Sequence, residues 1–121
     1  MQTDSDTGVI VTRSAEGIVD IRLNRPDRLN ALGVDMTNAF LTAITEAAAG
    51  DARVILIRGT GRAFCAGADL KERRTMDEAA RIQHNRAINA AVDALDAAPR
   101  KFLLPRFVFN LRLLAIFLVE N

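Results

Sequence analysis

The sequence predicts an α/β fold: a small domain over residues 1–100, followed by a tail, residues 101–121, of different character. Three patterns carry that prediction. Ile18 to Leu23 alternates apolar and polar residues, residues 34–49 show helical apolar spacing, and Val54-Ile55-Leu56-Ile57 is an uninterrupted apolar run. A half-buried strand, a helix and a buried strand in that order make a βαβ unit, whose crossover is almost always right-handed. At 121 residues the chain has room for about one domain and a modest core.

Val9-Ile10-Val11-Thr12 is a short β-branched run, and Arg13-Ser14-Ala15-Glu16-Gly17 supplies turn residues after it. With Val19, Ile21 and Leu23 on one face of the next strand and Asp20 and Arg22 on the other, the chain opens as an antiparallel hairpin. Pro26 ends that strand. In the following helix Met36, Phe40, Ile44 and Ala47 form the buried stripe, with Thr37, Thr45 and Glu46 away from it, and Gly50 stands at its end. The apolar run is expected to be buried on both faces. Thr75-Met76-Asp77-Glu78 reads as a capping box opening a long helix that buries Ile88, Val92 and Leu95 and ends at Pro99.

Charge and composition exclude several functions. Sixteen Lys and Arg against fifteen Asp and Glu leave +1, which gives no basis for nucleic-acid binding. One Cys and one His exclude a disulfide framework and a Cys-rich zinc site, so no metal is expected. The polar, acidic start, Met1 to Asp6, is unlike a secretory signal, and a cytoplasmic location is the expectation.

Between the buried strand and the long helix lies Gly59-Thr60-Gly61-Arg62-Ala63-Phe64-Cys65-Ala66-Gly67-Ala68-Asp69-Leu70, beyond a strand's carboxyl end where open α/β sheets bind ligands. The dinucleotide fingerprint fails because residue 64 is Phe, and a phosphate-binding P-loop fails because Ala68-Asp69 follows Gly67. Cys65 reads as a small packing residue rather than a nucleophile, and His84 as a solvated side chain rather than its base. The small residues Ala66-Gly67-Ala68 let main-chain N–H groups approach a ligand, and a helix starting near Asp69 would favour negative charge there. That suits an oxyanion hole, although a tight strand-to-helix turn without a ligand explains the same residues.

Two motifs narrow the choice. Asn24-Arg25-Pro26-Asp27-Arg28-Leu29-Asn30-Ala31-Leu32, and later Arg62-Ala63-Phe64-Cys65-Ala66-Gly67-Ala68-Asp69-Leu70-Lys71-Glu72, resemble the enoyl-CoA hydratase/isomerase (crotonase) superfamily. The resemblance runs from residue 9 to about residue 100 and implies an incomplete, crotonase-like ββαβ spiral-core segment: hairpin, crossover helix, buried strand, long helix. It implies an acyl-CoA thioester as partner, with coenzyme A part of the substrate and no separate cofactor. By the same resemblance the backbone N–H of Ala68 is an oxyanion-hole donor, and Arg28, Ala66, Gly67, Ala68, Asp69 and Lys71 surround coenzyme A. Lys71, with Glu72, Arg73 and Arg74, also fits a plain solvated helix face.

The implied parent reaction is hydration of a 2-enoyl-CoA in fatty-acid or related acyl-CoA metabolism, with double-bond isomerisation as the alternative. Family members continue with a Gly-rich second donor, catalytic acids and a region that builds trimers or dimers of trimers. No Gly follows Gly67, and Glu120 is the sole acid after Asp96, so those positions have no match. The resemblance therefore implies about the first two-fifths of a subunit, inactive as this chain, and an inactive CoA-binding or misfolded fragment is an alternative reading. The tail holds four of the six Phe and none of the seven Gly, a break that an interrupted reading frame explains. A tail-mediated membrane or partner-binding module is the third reading, opposed by Pro105, Arg106, Asn110 and Arg112 within the apolar stretch.

Overall fold

The computed structural model describes residues 2–4, 6–97 and 102–103. Among the described residues five strands form one sheet in sequence order: β1 (Gln2–Asp4), β2 (Val9–Arg13), β3 (Ile18–Leu23), β4 (Val54–Gly59) and β5 (Phe102–Leu103). The first three are antiparallel, and β3, β4 and β5 run parallel. Helix α1 (Val34–Ala49) crosses from β3 to β4, as the βαβ reading expects. A single turn, α2 (Leu70–Arg73), and a long helix, α3 (Glu78–Ala97), follow.

The hairpin forms where the sequence places it. Val11 pairs with Ile21 and Val9 with Leu23, and the turn closes through Ser14 N–H donating to the Ile18 carbonyl at 2.9 Å. Gly17 sits there at φ 87°, a left-handed position where a Cβ would be strained. Strand β1, for which no pattern is visible in the sequence, pairs with the outer edge of β2.

Helix α1 packs against β2, β3 and α3. Its buried stripe is Met36, Phe40, Ala43, Ile44 and Ala47, and with Ile21, Leu23, Ile55, Ile57 and Ile88 it makes one continuous core. Burying these side chains supplies the main stabilising free energy, about 1.5–3 kcal/mol for each large one.

Four expectations need correction. Thr37 is fully buried rather than outside the stripe, and its hydroxyl is satisfied by donating to the Gly33 carbonyl one turn back. In β4 Ile55 and Ile57 are buried but Val54 and Leu56 are only half-buried, so one face of this strand is more open than its apolar run implies. The cap of α3 is Asp77 rather than Thr75: its Oδ1 accepts from Ala80 N–H at 2.8 Å, while the Thr75 hydroxyl donates to the Glu72 carbonyl. His84 is not solvated but 3% exposed, in the buried stripe of α3 with Ile88, Ala91 and Leu95.

The tail lies outside the described residues, except for the backbone of Phe102–Leu103 paired with Ile55–Leu56. Pro99, expected to end α3, also lies outside them. Among the described residues no helix is long and apolar enough to cross a membrane, and no group of His, Cys, Asp and Glu is placed to hold a metal ion.

Candidate functional site

The two motifs are far apart in sequence and adjacent in space. After β3 a 3₁₀ turn at Pro26–Arg28 reverses the chain, and Leu29 and Asn30 both take left-handed backbone conformations, φ 54° and 56°. Asn tolerates that region better than most residues, whereas Leu does not. What holds it is the side chain of Asn30, 0% exposed. Its Oδ1 accepts from Arg25 N–H at 2.8 Å, while Nδ2 donates to the carbonyls of Thr60 and Ala63 at 3.0 and 2.8 Å.

Asn30 therefore ties the first motif to the loop leaving β4. The approach leaves no room for a side chain at Gly59, where a Cβ would meet the Phe64 and Ala63 carbonyl oxygens at 2.5 and 2.7 Å. Backbone bonds complete the seam: Ala66 N–H donates to the Leu29 carbonyl (2.9 Å), Leu32 N–H to Gly67 (2.8 Å) and Asp69 N–H to Leu32 (2.9 Å). Gly67 sits at φ 112°, where a side chain would be strained.

Leu32 and Ala68 thus form an isolated parallel bridge. In such a bridge the residue flanked by the two bonded neighbours turns its own N–H and C=O to the opposite side. Among the described residues the Ala68 N–H meets no acceptor. The Ala68 side chain is buried. The loop thus fixes one backbone donor that faces away from the bridge and is not used by the described fold.

The remaining predicted site residues divide in two. Asp69 is 4% exposed, and its Oδ1 caps α2 by accepting from Lys71 and Glu72 N–H at 3.1 and 3.2 Å. Its Oδ2 lies 3.3 Å from Arg28 Nη1, a charge contact without an aligned hydrogen bond. The expected helix start is present, but Asp69 itself occupies its first N–H groups, so they are not free for a ligand. Arg28, which keeps part of its surface, is held against the loop by that ion pair. Ala66 and Lys71 are exposed and Gly67 is buried.

Cys65 and His84 do not form a catalytic pair. Burial pushes the Cys65 thiol up to about 11, and its Sγ rests 3.9 Å from the Gly67 carbonyl oxygen. A thiol so poised is a poor nucleophile. His84 is held below its usual value, first by burial and then by the Arg73 cation, while Glu72 and the backbones of Leu32 and Gly33 pull weakly the other way. Neither ring nitrogen closes an aligned hydrogen bond among the described residues. Asn30 and Arg73 are the residues the sequence reading passed over. For Asn30 the available signal was an Asn in a Pro-led turn, and for Arg73 there was none beyond its charge.

The described surface has two further hollows of note. A groove of about 420 Å³ between β2 and α1 is lined by residues of neither motif. A cleft of about 380 Å³ lies between α2 and α3 and is lined by Leu70, Arg73, Arg74, Arg81 and Asn85. The second adjoins the site, because Arg73 N–H donates to the Asp69 carbonyl at 3.0 Å.

Known proteins resemble this chain in sequence and in fold. The enoyl-CoA hydratase/isomerase family model matches residues 18–100. The human enoyl-CoA hydratase domain-containing protein 2, mitochondrial, is 46% identical over 70 residues, covering 53% of this chain and 23% of that protein. A solved enoyl-CoA hydratase of Mycobacterium smegmatis superposes with TM-score 0.75 at 28% identity, over 80% of this chain and 38% of that one. One from Bacillus anthracis gives TM-score 0.73 at 28% identity, over 80% and 38%. The chain spans less than two-fifths of the length of each of these relatives.

Proposed function

We propose, from the premise that this chain belongs to the enoyl-CoA hydratase/isomerase family, that its loop at residues 66–69 holds the thioester carbonyl of an acyl-CoA. The observation that carries this is the Ala68 N–H, pinned by the Leu32 bridge and without an acceptor among the described residues. The thioester oxygen accepts from that N–H, and negative charge growing on it as the thioester becomes enolate-like strengthens the bond. Preorganisation gives such a donor its value, since nothing needs to reorient as charge develops.

Arg28 and Lys71 flank the loop and supply cations for the phosphates of coenzyme A, with Ala66 and Gly67 leaving the approach free of side chains. Asp69 acts by position: it holds Arg28 and caps α2. The parent reaction is hydration of a 2-enoyl-CoA, with double-bond isomerisation as the near alternative. A second oxyanion donor and a general acid/base have no matching position in this sequence.

Titration calorimetry with butyryl-CoA and free coenzyme A tests the reading. The thioester should bind more tightly than coenzyme A. Equal binding, or none, contradicts a carbonyl held at Ala68.

A further inference from the structure

We propose that the cleft between α2 and α3 receives a carboxylate carried by the acyl group of the thioester, an inference that rests on the acyl-CoA reading above. Arginines supply three of its five lining residues, and no acid lines it. Arg73 has Nε and Nη2 both buried and without a partner among the described residues, as is the Oδ1 of Asn85. Buried polar groups are almost always satisfied, so a guanidinium left this way calls for an acceptor. Nε–H and Nη2–H are adjacent parallel donors on one edge of the guanidinium, the fork that takes both oxygens of a carboxylate. The whole fork is unused.

The surroundings favour the acyl end of the ligand. Leu70, 52% exposed, is the apolar part of the lining and can lie along methylene groups. At about 100° per residue, Lys71 and Arg73 point about 200° apart around α2, so a phosphate beside Lys71 and a carboxylate beside Arg73 approach from opposite sides. Of the titratable groups beside Arg73, His84 is disposed to stay neutral, by burial first and by the Arg73 cation second, and Glu72 accepts from Val34 N–H through its Oε1 and is not part of the cleft lining. Arg74 and Arg81 add positive potential at the rim without closing the cleft.

Calorimetry of the full chain with butyryl-CoA, glutaryl-CoA (the same acyl chain bearing a terminal carboxylate) and free coenzyme A provides the test. Glutaryl-CoA should bind about tenfold or more tighter than butyryl-CoA, as a charge-assisted bidentate contact gives. Arg73→Met should bring that ratio close to one, and Arg73→Lys should keep part of it. Arg81→Met, at the exposed rim, should lower the ratio modestly. The ratio compares two ligands on the same sample, so partial unfolding of a variant does not imitate the effect. Equal affinity of the two thioesters, both above coenzyme A, overturns the carboxylate subsite and leaves the acyl-CoA reading standing. If Arg73→Met weakens coenzyme A and both thioesters alike, Arg73 meets a phosphate and the proposal is wrong. If neither thioester exceeds coenzyme A, the acyl-CoA reading falls and this inference with it.

Discussion

Leu32 and Ala68 are joined by two backbone hydrogen bonds, Leu32 N–H to the Gly67 carbonyl and Asp69 N–H to the Leu32 carbonyl, at 2.8 and 2.9 Å. Because both bonds come from the neighbours of Ala68, its own N–H is left facing the other way. The first motif thereby positions a donor in the second. The short turn after β3 and the loop after β4 are joined by these bonds and by those of the Asn30 side chain.

Asn30 should be the most sensitive side chain in that arrangement. Asn30→Ala leaves Arg25 N–H and the Thr60 and Ala63 carbonyls without their partners and should destabilise the chain by about 2–3 kcal/mol. Asn30→Asp should be worse, since it sets a carboxylate against two carbonyl oxygens. Urea denaturation measures both. A loss below about 0.5 kcal/mol for Asn30→Ala, the range of an ordinary surface change, contradicts this role.

Stability should fall with acid in a way traceable to His84. Burial and Arg73 depress its folded pKa below the 6.5 of a free imidazole. Between those two values the unfolded chain binds more protons than the folded one, so unfolding free energy declines as pH falls from about 6.5 towards the folded value. His84→Leu should flatten that part of the profile, read from urea midpoints at about pH 7.5 and about pH 5.5. An unchanged slope in the variant contradicts a buried, neutral imidazole.

Cys65 should resist alkylation in the folded chain. With its thiol pushed from 9.0 to about 11, the thiolate fraction at neutral pH drops about a hundredfold. The chain has no other cysteine, so iodoacetamide labelling reports on this one alone. Native labelling should be about a hundredfold slower than labelling in urea. Equal rates contradict a thiol raised in the folded chain.

The hairpin, α1 and the βαβ order were legible because alternation and helical spacing are local and strong: Val19-Ile21-Leu23 and Met36-Phe40-Ile44 carry them directly. The misplacements are tertiary. Thr37 is buried because its hydroxyl finds a carbonyl within its own helix, and His84 because α3 turns it towards α1 and the first motif, neither of which periodicity reveals. The cap of α3 moved from Thr75 to Asp77 because two capping side chains stood two residues apart and spacing alone did not choose between them. In the site, the motifs disclosed which residues gather. The organiser of the gathering, Asn30, was disclosed only by its three hydrogen bonds.

The role of the Ala68 backbone is tested most directly by the amide resonance itself. In a ¹⁵N-labelled chain titrated with butyryl-CoA, the Ala68 N–H should show the largest downfield proton shift, because a previously unbonded donor gains a carbonyl acceptor. Free coenzyme A, lacking the thioester carbonyl, should leave that resonance nearly in place while shifting residues beside Arg28 and Lys71. An Ala68 resonance that stays put while butyryl-CoA binds, with the shifts gathered instead around the groove between β2 and α1, would contradict the assignment of the thioester to this loop.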